Sequence, residues 1–303
     1  MNYISFPGLG IDFFKVNQSP FSIAGREIRW YGIIICIGII LGFLVFLKNA
    51  KYHGINTDTV LDFAIILIPV SIIGARLYYV ITSLSEYNSF YEVIAIWNGG
   101  LAIYGAIIAG AIATFIVCKV KKISYILILD CLSVGVILGQ CIGRWGNFFN
   151  AEAYGSIMQY DFFGKTFDIS ASANSFPLRM VINSIPDFTN ATIAHPTFLY
   201  ESIWNLLGFI LLTILFKKTK FKGQIFLTYI TWYGFGRCII EGFRTDSLWV
   251  GNFRISQLLA TLCFIIGIIL LTVLFLKNKK QKEYINTPIK SQIKEEEQTN
   301  DNN

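Results

Sequence analysis

The chain has 303 residues and a formal net charge of +6; 54% of its residues are apolar and 15% are charged. A soluble domain carries roughly 25% charged residues, and the apolar residues here come in blocks that approach or exceed the ~20 needed to cross a bilayer as a helix, so a soluble globular class is excluded. The positive charge is spread by loop rather than gathered on one patch, which argues against a nucleic-acid binder, and the two histidines, His53 and His195, show no HExxH or HxxxH spacing and stand beside no CxxC, which argues against a protein-built zinc site.

Taken in chain order, residues 1–29 lack the basic start, short apolar run and cleavage site of a secretory signal, so the first apolar block is expected to stay in the mature protein. Phe6, Phe13, Phe14 and Phe21 among polar neighbours suit a segment lying along the outer interface. Seven apolar spans follow, over 30–47, 58–82, 96–118, 125–149, 198–216, 224–243 and 255–276. The expected fold is an all-α polytopic membrane protein of about seven transmembrane helices over 30–276. Residues 150–197 form a small extracytoplasmic cap, and 277–303, rich in Lys, Glu, Gln and Asn, a disordered cytoplasmic tail. The six cysteines, Cys36, Cys118, Cys131, Cys141, Cys238 and Cys263, fall within or at the ends of apolar segments and read as packing residues. No internal repeat is visible, which counts weakly against a transporter.

Lysine and arginine set the orientation. Segments 48–57, 119–122, 217–222 and 277–303 hold 2, 3, 4 and 6 of them, whereas 1–29, 83–95, 150–197 and 244–254 hold 3, 0, 2 and 2. Positive loops stay inside, which places the N-terminus outside and the C-terminus in the cytoplasm.

Three arginines, Arg76, Arg144 and Arg237, lie inside spans, where a charge costs several kcal/mol. With the spans so oriented, Arg144 and Arg237 sit about 28 Å and 20 Å into a ~30 Å core, both in the outer half. Arg76, Tyr104 and Tyr31 also fall in that half. In the sixth span Tyr233, Arg237 and Glu241 are spaced i, i+4, i+8 on one helix face. Mutual neutralisation of Arg237 and Glu241 is the plain structural alternative, but it explains neither Arg144 nor the shared depth. Arg244, near the outer end of the same helix, also suits a side chain snorkelling to lipid phosphates.

Residues 143–155 read GRWGNFFNAEAYG. The glycines Gly143, Gly146 and Gly155 clear space around Arg144, Asn147, Asn150 and Glu152. Arg144 presents a planar five-donor fork suited to a phosphate, the asparagines add donors and acceptors, and Glu152 can orient a guanidinium or accept a proton. A helix end needs one cap, not this many polar groups in nine residues.

This run resembles the signature of the phosphatidylglycerol–prolipoprotein diacylglyceryl transferase family, Gly-Arg-x-Gly-Asn-Phe-x-Asn-x-Glu-x-x-Gly. Trp30-Tyr31-Gly32, Trp97-Asn98-Gly99-Gly100, His195-Pro196-Thr197 with Tyr200-Glu201, and Tyr233-Gly234 through Arg237, Glu241 and Arg244 resemble further family elements, in order over about residues 28–276. The resemblance implies a catalytic membrane domain that moves the diacylglyceryl group of phosphatidylglycerol to the lipobox cysteine of a preprolipoprotein. A thioether forms and glycerol 1-phosphate leaves, with no metal or organic cofactor. It implies a multi-pass protein of the bacterial cytoplasmic membrane, its site toward the outer leaflet and its partners lipid and signal peptide rather than nucleic acid. Arg144 and Arg237 fall on the family's essential arginines, and Tyr31, Asn147, Glu152, Gly155, Tyr233 and Glu241 on other functionally important positions, with Arg244 and His195 beside them. One departure stands out: some members read His-Gly-Gly where this chain reads Tyr104-Gly105-Ala106. That histidine has been proposed as the base toward the thiol, and a tyrosine with a reference pKa near 10 is a poor base at neutral pH. The proton acceptor is Tyr104, a carboxylate (Glu152 or Glu241), His195 or none, since a free thiol already supplies a few per cent thiolate.

The competing classes fit less well. An anionic-lipid binder or transporter would also use intramembrane arginines, but a path across the membrane needs polar residues in both halves. An intramembrane protease needs a Ser/His pair, paired aspartates or a zinc motif, and a scaffold has no use for GRWGNFFNAE.

Overall fold

The computed structural model describes residues 2–23, 25–87, 89–169 and 176–278, so the tail expected over 277–303 lies, but for its first two residues, outside the described residues. The helices are α1 (Trp30–Tyr52), α2 (Thr57–Thr82), α3 (Phe90–Ile94), α4 (Ile103–Lys121), α5 (Tyr125–Asn150), α6 (Thr197–Phe216), α7 (Gln224–Ile240) and α8 (Ile255–Asn278). Six of them, α1, α2, α4, α5, α6 and α8, are long and apolar enough to cross a membrane. Their outward residues, such as Ile65, Ile73, Leu77, Ile107 and Leu276, are large and apolar, which suits lipid and not water. The chain is a multi-pass membrane protein.

Two spans differ from the sequence reading. The third, expected over 96–118, begins as a helix only at Ile103, because Gly99 and Gly100 adopt left-handed φ of 92° and 76° and leave Trp97 in a 3₁₀ turn before them. The sixth, expected over 224–243, is realised as the 17-residue α7, about 26 Å long, followed by a 3₁₀ turn over Glu241–Phe243.

The expectation of an all-helical chain also needs correcting. Residues 2–16 form a hairpin, β1 (Asn2–Phe6) and β2 (Ile11–Val16), turned by Gly10 at φ 69°. It is followed by the small pair β3 (Phe21–Ile23) and β4 (Arg26–Ile28). The segment expected as a cap carries β5 (Gly155–Ser156), β6 (Gln159–Phe162), β7 (Lys165–Asp168), β8 (Met180–Asn183) and β9 (Thr192–His195). A last pair, β10 (Trp249–Val250) and β11 (Phe253–Arg254), precedes α8. One antiparallel sheet has the order β2-β1-β8-β9-β5, so the N-terminal hairpin is completed by residues some 180 positions away, Tyr3 facing Asn183 and Ser5 facing Val181. Ile4, Val16, Met180, Ile182 and Ala194 bury their side chains with Phe198 at the start of α6, and Phe148 and Phe149 of α5 pack against them. This apolar face is what holds the sheet to the helix ends that carry the site.

The described residues divide into two units, one made of residues up to 45 and 133–278, the other of residues 46–132. In the second unit α2 and α4 approach at Gly74, where an added Cβ would stand 2.7 Å from the Gly105 carbonyl oxygen. Arg76 is buried there and donates to four carbonyls, those of Glu92 (2.6 Å), Val93 (2.8 Å), Gly99 (2.6 Å) and Gly100 (2.9 Å). It closes the loop between α2 and α4, a structural use of an intramembrane charge.

In the first unit α1 and α5 pack glycine on glycine, an added Cβ on Gly42 standing 2.8 Å from the Gly135 carbonyl oxygen. Helices α6 and α7 interlock reciprocally. Trp204 and Trp232 stack at 4.3 Å with an interplanar angle of 14°, and each indole N–H donates to the other residue's carbonyl at 3.0 Å. Each ring covers a glycine of the opposite helix: Trp204 covers Gly236 and Trp232 covers Gly208. Both helices thus carry the same Trp-x-x-x-Gly spacing.

Candidate active site

The site is built where α5 ends, α6 begins and α7 ends, all within the first unit. Helix α5 delivers Arg144 and Asn147 in its last two turns, α6 delivers Glu201 one turn from its start, and α7 with its terminal 3₁₀ turn delivers Tyr233, Arg237, Glu241 and Arg244. Glu201 is the hub. One carboxylate oxygen accepts from Arg144 Nη2 at 2.6 Å; the other accepts from Arg237 Nη1 at 2.5 Å and lies 3.5 Å from Arg244 Nη1. Glu241 Oε2 is ion-paired with Arg237, 2.5 Å from its Nη2, and lies 3.8 Å from Arg244 Nε. The side chains of Glu201 and Glu241 are 5% and 1% exposed, whereas Arg144 keeps 21% of its surface open. Three guanidiniums therefore share two buried carboxylates in a poorly screened place, and a third carboxylate at the rim balances the formal charge. Asp246, at the rim, takes Arg244 in a two-pronged contact of 3.0 and 2.8 Å. Burial works to raise the Asp246 carboxyl, but the hydrogen bonds and charge of Arg244 outweigh it and hold it below the usual carboxylate range.

A second cluster joins the first at Asn147. Arg144 Nη1 stands 3.5 Å from Asn147 Oδ1, and the Asn147 and Asn150 amides donate to one oxygen of Glu152 at 3.1 and 3.2 Å. Glu152 sits between Ala151 and Ala153, both in the left-handed region at φ 51° and 56°, a conformation costing a non-glycine residue about 1–2 kcal/mol each. That strained turn is what swings Glu152 back over the end of α5. Tyr31, at the start of α1, lies flat against Gly146: a Cβ there would stand 2.6 Å from the ring.

Gly155 ties the strands to the arginines. It pairs with His195 in the sheet and bridges to Arg244, and an added Cβ would stand 2.9 Å from Thr197 Cγ2 and 3.0 Å from both His195 Cβ and Phe243 Cβ. Gly155→Val should therefore push the Arg244 turn off its seat and slow any reaction that uses Arg244 by about 100-fold, the scale of an ångström-sized displacement; the specific activity of folded, inserted variant measures it. His195 lies between Phe176 and Phe243, its Nδ1 2.9 Å from the Tyr200 hydroxyl. Burial pushes its pKa below the ordinary imidazole value, so the ring is neutral at pH 7.

Of the residues singled out in the sequence, Arg144, Arg237, Glu241 and Arg244 meet in one ion-pair network, Asn147, Asn150 and Glu152 adjoin it, and Gly155 and His195 support it from the sheet. Tyr31 packs on the helix turn between Arg144 and Asn147. Tyr233 stacks on Tyr229 at 6.0 Å one turn before Arg237. Tyr104 belongs to the other unit, its ring 6.4 Å from that of Tyr78. Sequence reasoning left Glu201 inside a quoted motif without a role. Its signal was an acid five residues into an otherwise apolar helix.

Residues 18–273 match the family model described as prolipoprotein diacylglyceryl transferase. Among curated proteins, the chain is 42% identical over 272 residues to phosphatidylglycerol–prolipoprotein diacylglyceryl transferase 1 of Clostridium perfringens, covering 89% of this chain and 99% of that one. It is 42% identical over 249 residues to the phosphatidylglycerol–prolipoprotein diacylglyceryl transferase of Clostridium kluyveri, covering 82% and 92%. To the protein of the same name from Clostridium botulinum strain Langeland it is 43% identical over 272 residues, covering 89% and 100%.

Proposed function

From the premise that the chain belongs to the prolipoprotein diacylglyceryl transferase family, we propose that it transfers the diacylglyceryl group of phosphatidylglycerol to the lipobox cysteine of preprolipoproteins. The observation that carries this reading onto particular residues is the convergence of Arg144, Arg237 and Arg244 on Glu201 and Glu241.

In the step proposed, the cysteine sulfur attacks the glycerol carbon that bears the phosphodiester oxygen. The C–S bond forms, the C–O bond breaks, and its electron pair leaves with glycerol 1-phosphate. The leaving group turns from a singly charged diester into a monoester able to carry a second negative charge. Cations fixed beforehand in a water-poor site stabilise that growing charge more than the ground state, and the three guanidiniums of the cluster are donors of the required sign. Arg144, the more open of the paired arginines, receives the phosphate first, and Arg237 and Arg244 complete the cradle. Tyr31, Asn147 and Tyr233 line the head-group side. Glu241 is committed to Arg237 and Arg244, so the carboxylate left to take the thiol proton is Glu152, held by two amides and exposed to the outer surface. Acyl chains reach the site sideways from the bilayer. The enzyme is read as a seven-span protein of the bacterial cytoplasmic membrane, with α7 as the short span, residues 150–197 outside and the site toward the outer leaflet, the orientation the lysine and arginine distribution favours.

Purified protein in liposomes, given head-group-labelled phosphatidylglycerol and a peptide with a lipobox cysteine, should release glycerol phosphate in proportion to peptide thiol. Lipid binding without thiol-dependent release, by correctly inserted protein, would instead make it an anionic-lipid binding or transport protein. In the same assay Tyr104→Phe should keep more than about a tenth of the wild-type rate, because the proton-accepting role falls to the Glu152 carboxylate and not to the phenol. A loss beyond 100-fold would return the proton-accepting role to Tyr104.

A further inference from the structure

The turn that carries Glu241 and Arg244 is held from behind by a second arginine, Arg254, which the transfer step does not touch. One of its terminal nitrogens, Nη1, donates to the Glu241 carbonyl at 2.7 Å, to the Arg244 carbonyl, and to Ser247 Oγ at 2.7 Å. The other, Nη2, donates to Asp161 of β6, and the guanidinium lies 4.7 Å over the Trp249 ring. The side chain is 5% exposed. Asp161 is fixed in turn: its second oxygen accepts from Thr166 of β7 at 2.6 Å.

The β6–β7 hairpin is fitted to the same turn. The Tyr160 hydroxyl donates to the Ile239 carbonyl at 3.2 Å, and at Gly242 an added Cβ would stand 2.6 Å from the Asp161 carbonyl oxygen and against the Tyr160 ring. Gln257, fully buried, bonds the Phe163 amide at 3.2 Å and the Cys238 carbonyl at 3.0 Å. Every member of this network therefore ends on the backbone of the α7 terminus or on a group that does.

Resting on the transferase reading above, we infer that Arg254 and Asp161 are positioning residues of the reaction, acting through Arg244. A plain helix end needs its last carbonyls met by one or two donors. Here a single planar fork meets the carbonyls of both residues that bring charge to the site, Glu241 and Arg244, and is itself held by a carboxylate from a separate hairpin. Lysine, a point donor without the fork, cannot span those acceptors and Asp161 together. Loss of the fork lets the turn relax and moves the Arg244 guanidinium off the Glu201 oxygen, 3.5 Å away, while Arg144 and Arg237 keep their contacts with Glu201 on the separate helix α6.

The test is a double-mutant cycle in full-length protein in liposomes, with kcat and KM for phosphatidylglycerol measured at saturating lipobox peptide and thermal midpoints recorded for each variant. Arg254→Lys and Asp161→Asn should each lower kcat by about 10- to 100-fold, with KM changed less than threefold. The Arg244→Ala, Arg254→Lys double variant should be no slower than Arg244→Ala alone, because residues acting as one unit are not additive. If the two losses multiply, Arg254 does not work through Arg244 and the inference fails. It fails equally if folded Arg254→Lys, or folded Asp161→Asn should the first not fold, turns over at the wild-type rate. Wild-type protein with no thiol-dependent release would instead remove the transferase reading on which the inference rests.

Discussion

Arg237→Ala should bring thiol-dependent release of glycerol phosphate down by about 1000-fold or more while the protein still inserts. Arg237 approaches both buried carboxylates, Glu201 and Glu241, to 2.5 Å each, closer than Arg244 does at 3.5 and 3.8 Å. Removing it takes away a preorganised donor to the leaving phosphate, worth about 10²–10³ in rate for a single donor of this kind. It also leaves two carboxylates competing for Arg144 and Arg244. Arg237→Lys separates these effects. It keeps the charge but cannot reach both carboxylates with two parallel donors, so it should insert with a smaller loss of stability than Arg237→Ala and still lose about 100-fold. The measurement is the rate of head-group release, normalised to inserted protein. Wild-type turnover by both variants would remove Arg237 from the chemistry and leave its ion pairs structural.

Glu201→Gln should have an effect of similar size for a different reason. The carboxylate takes Arg144 on one oxygen and Arg237 with Arg244 on the other. A glutamine offers one acceptor oxygen and turns an amide toward at least one guanidinium. Three arginines then share a single buried carboxylate, Glu241, with Asp246 at the rim, and removing one partner of a buried ion pair costs about 3–5 kcal/mol, partly as fold stability and partly as guanidiniums that swing away. Anionic lipid should still bind, and more tightly, since the cluster gains a net positive charge. The expected pattern is therefore a kcat lower by about 100- to 1000-fold with KM for phosphatidylglycerol unchanged or reduced. A raised KM with unaltered kcat would instead assign Glu201 to ground-state binding alone.

Much of the site was legible in the sequence because intramembrane charge is costly and short motifs preserve spacing. GRWGNFFNAEAYG places Arg144, Asn147, Asn150 and Glu152 on one helix end, and Tyr233-Arg237-Glu241 on one helix face, without any knowledge of partners. Glu201 was less legible: an acid beside a motif does not reveal that three arginines from two other helices will meet on it. Arg76 shows the converse. By burial cost it is equal to Arg144, yet it spends its donors on four loop carbonyls, and only the loop's shape could tell them apart. The five-stranded sheet was hidden because its strands are two to six residues long and its central pairing joins Asn2–Phe6 to Met180–Asn183, a separation over which no local periodicity acts. The phenylalanines that resembled an interfacial stripe belong in part to that pairing: Phe6 packs on the sheet core and Phe14 lies 6.4 Å from Phe148.

The tryptophan exchange between α6 and α7 has a consequence for how a two-tailed lipid gets in. Sliding one helix along the other would break both indole hydrogen bonds and drive each ring into a neighbour where no glycine waits. Glu201 and Arg237, three residues before Trp204 and five after Trp232, are thus carried on a riveted pair of staves. The doorway for substrate is therefore not the seam between them, and Glu201 and Arg237 keep their register to one another while the lipid enters by another side.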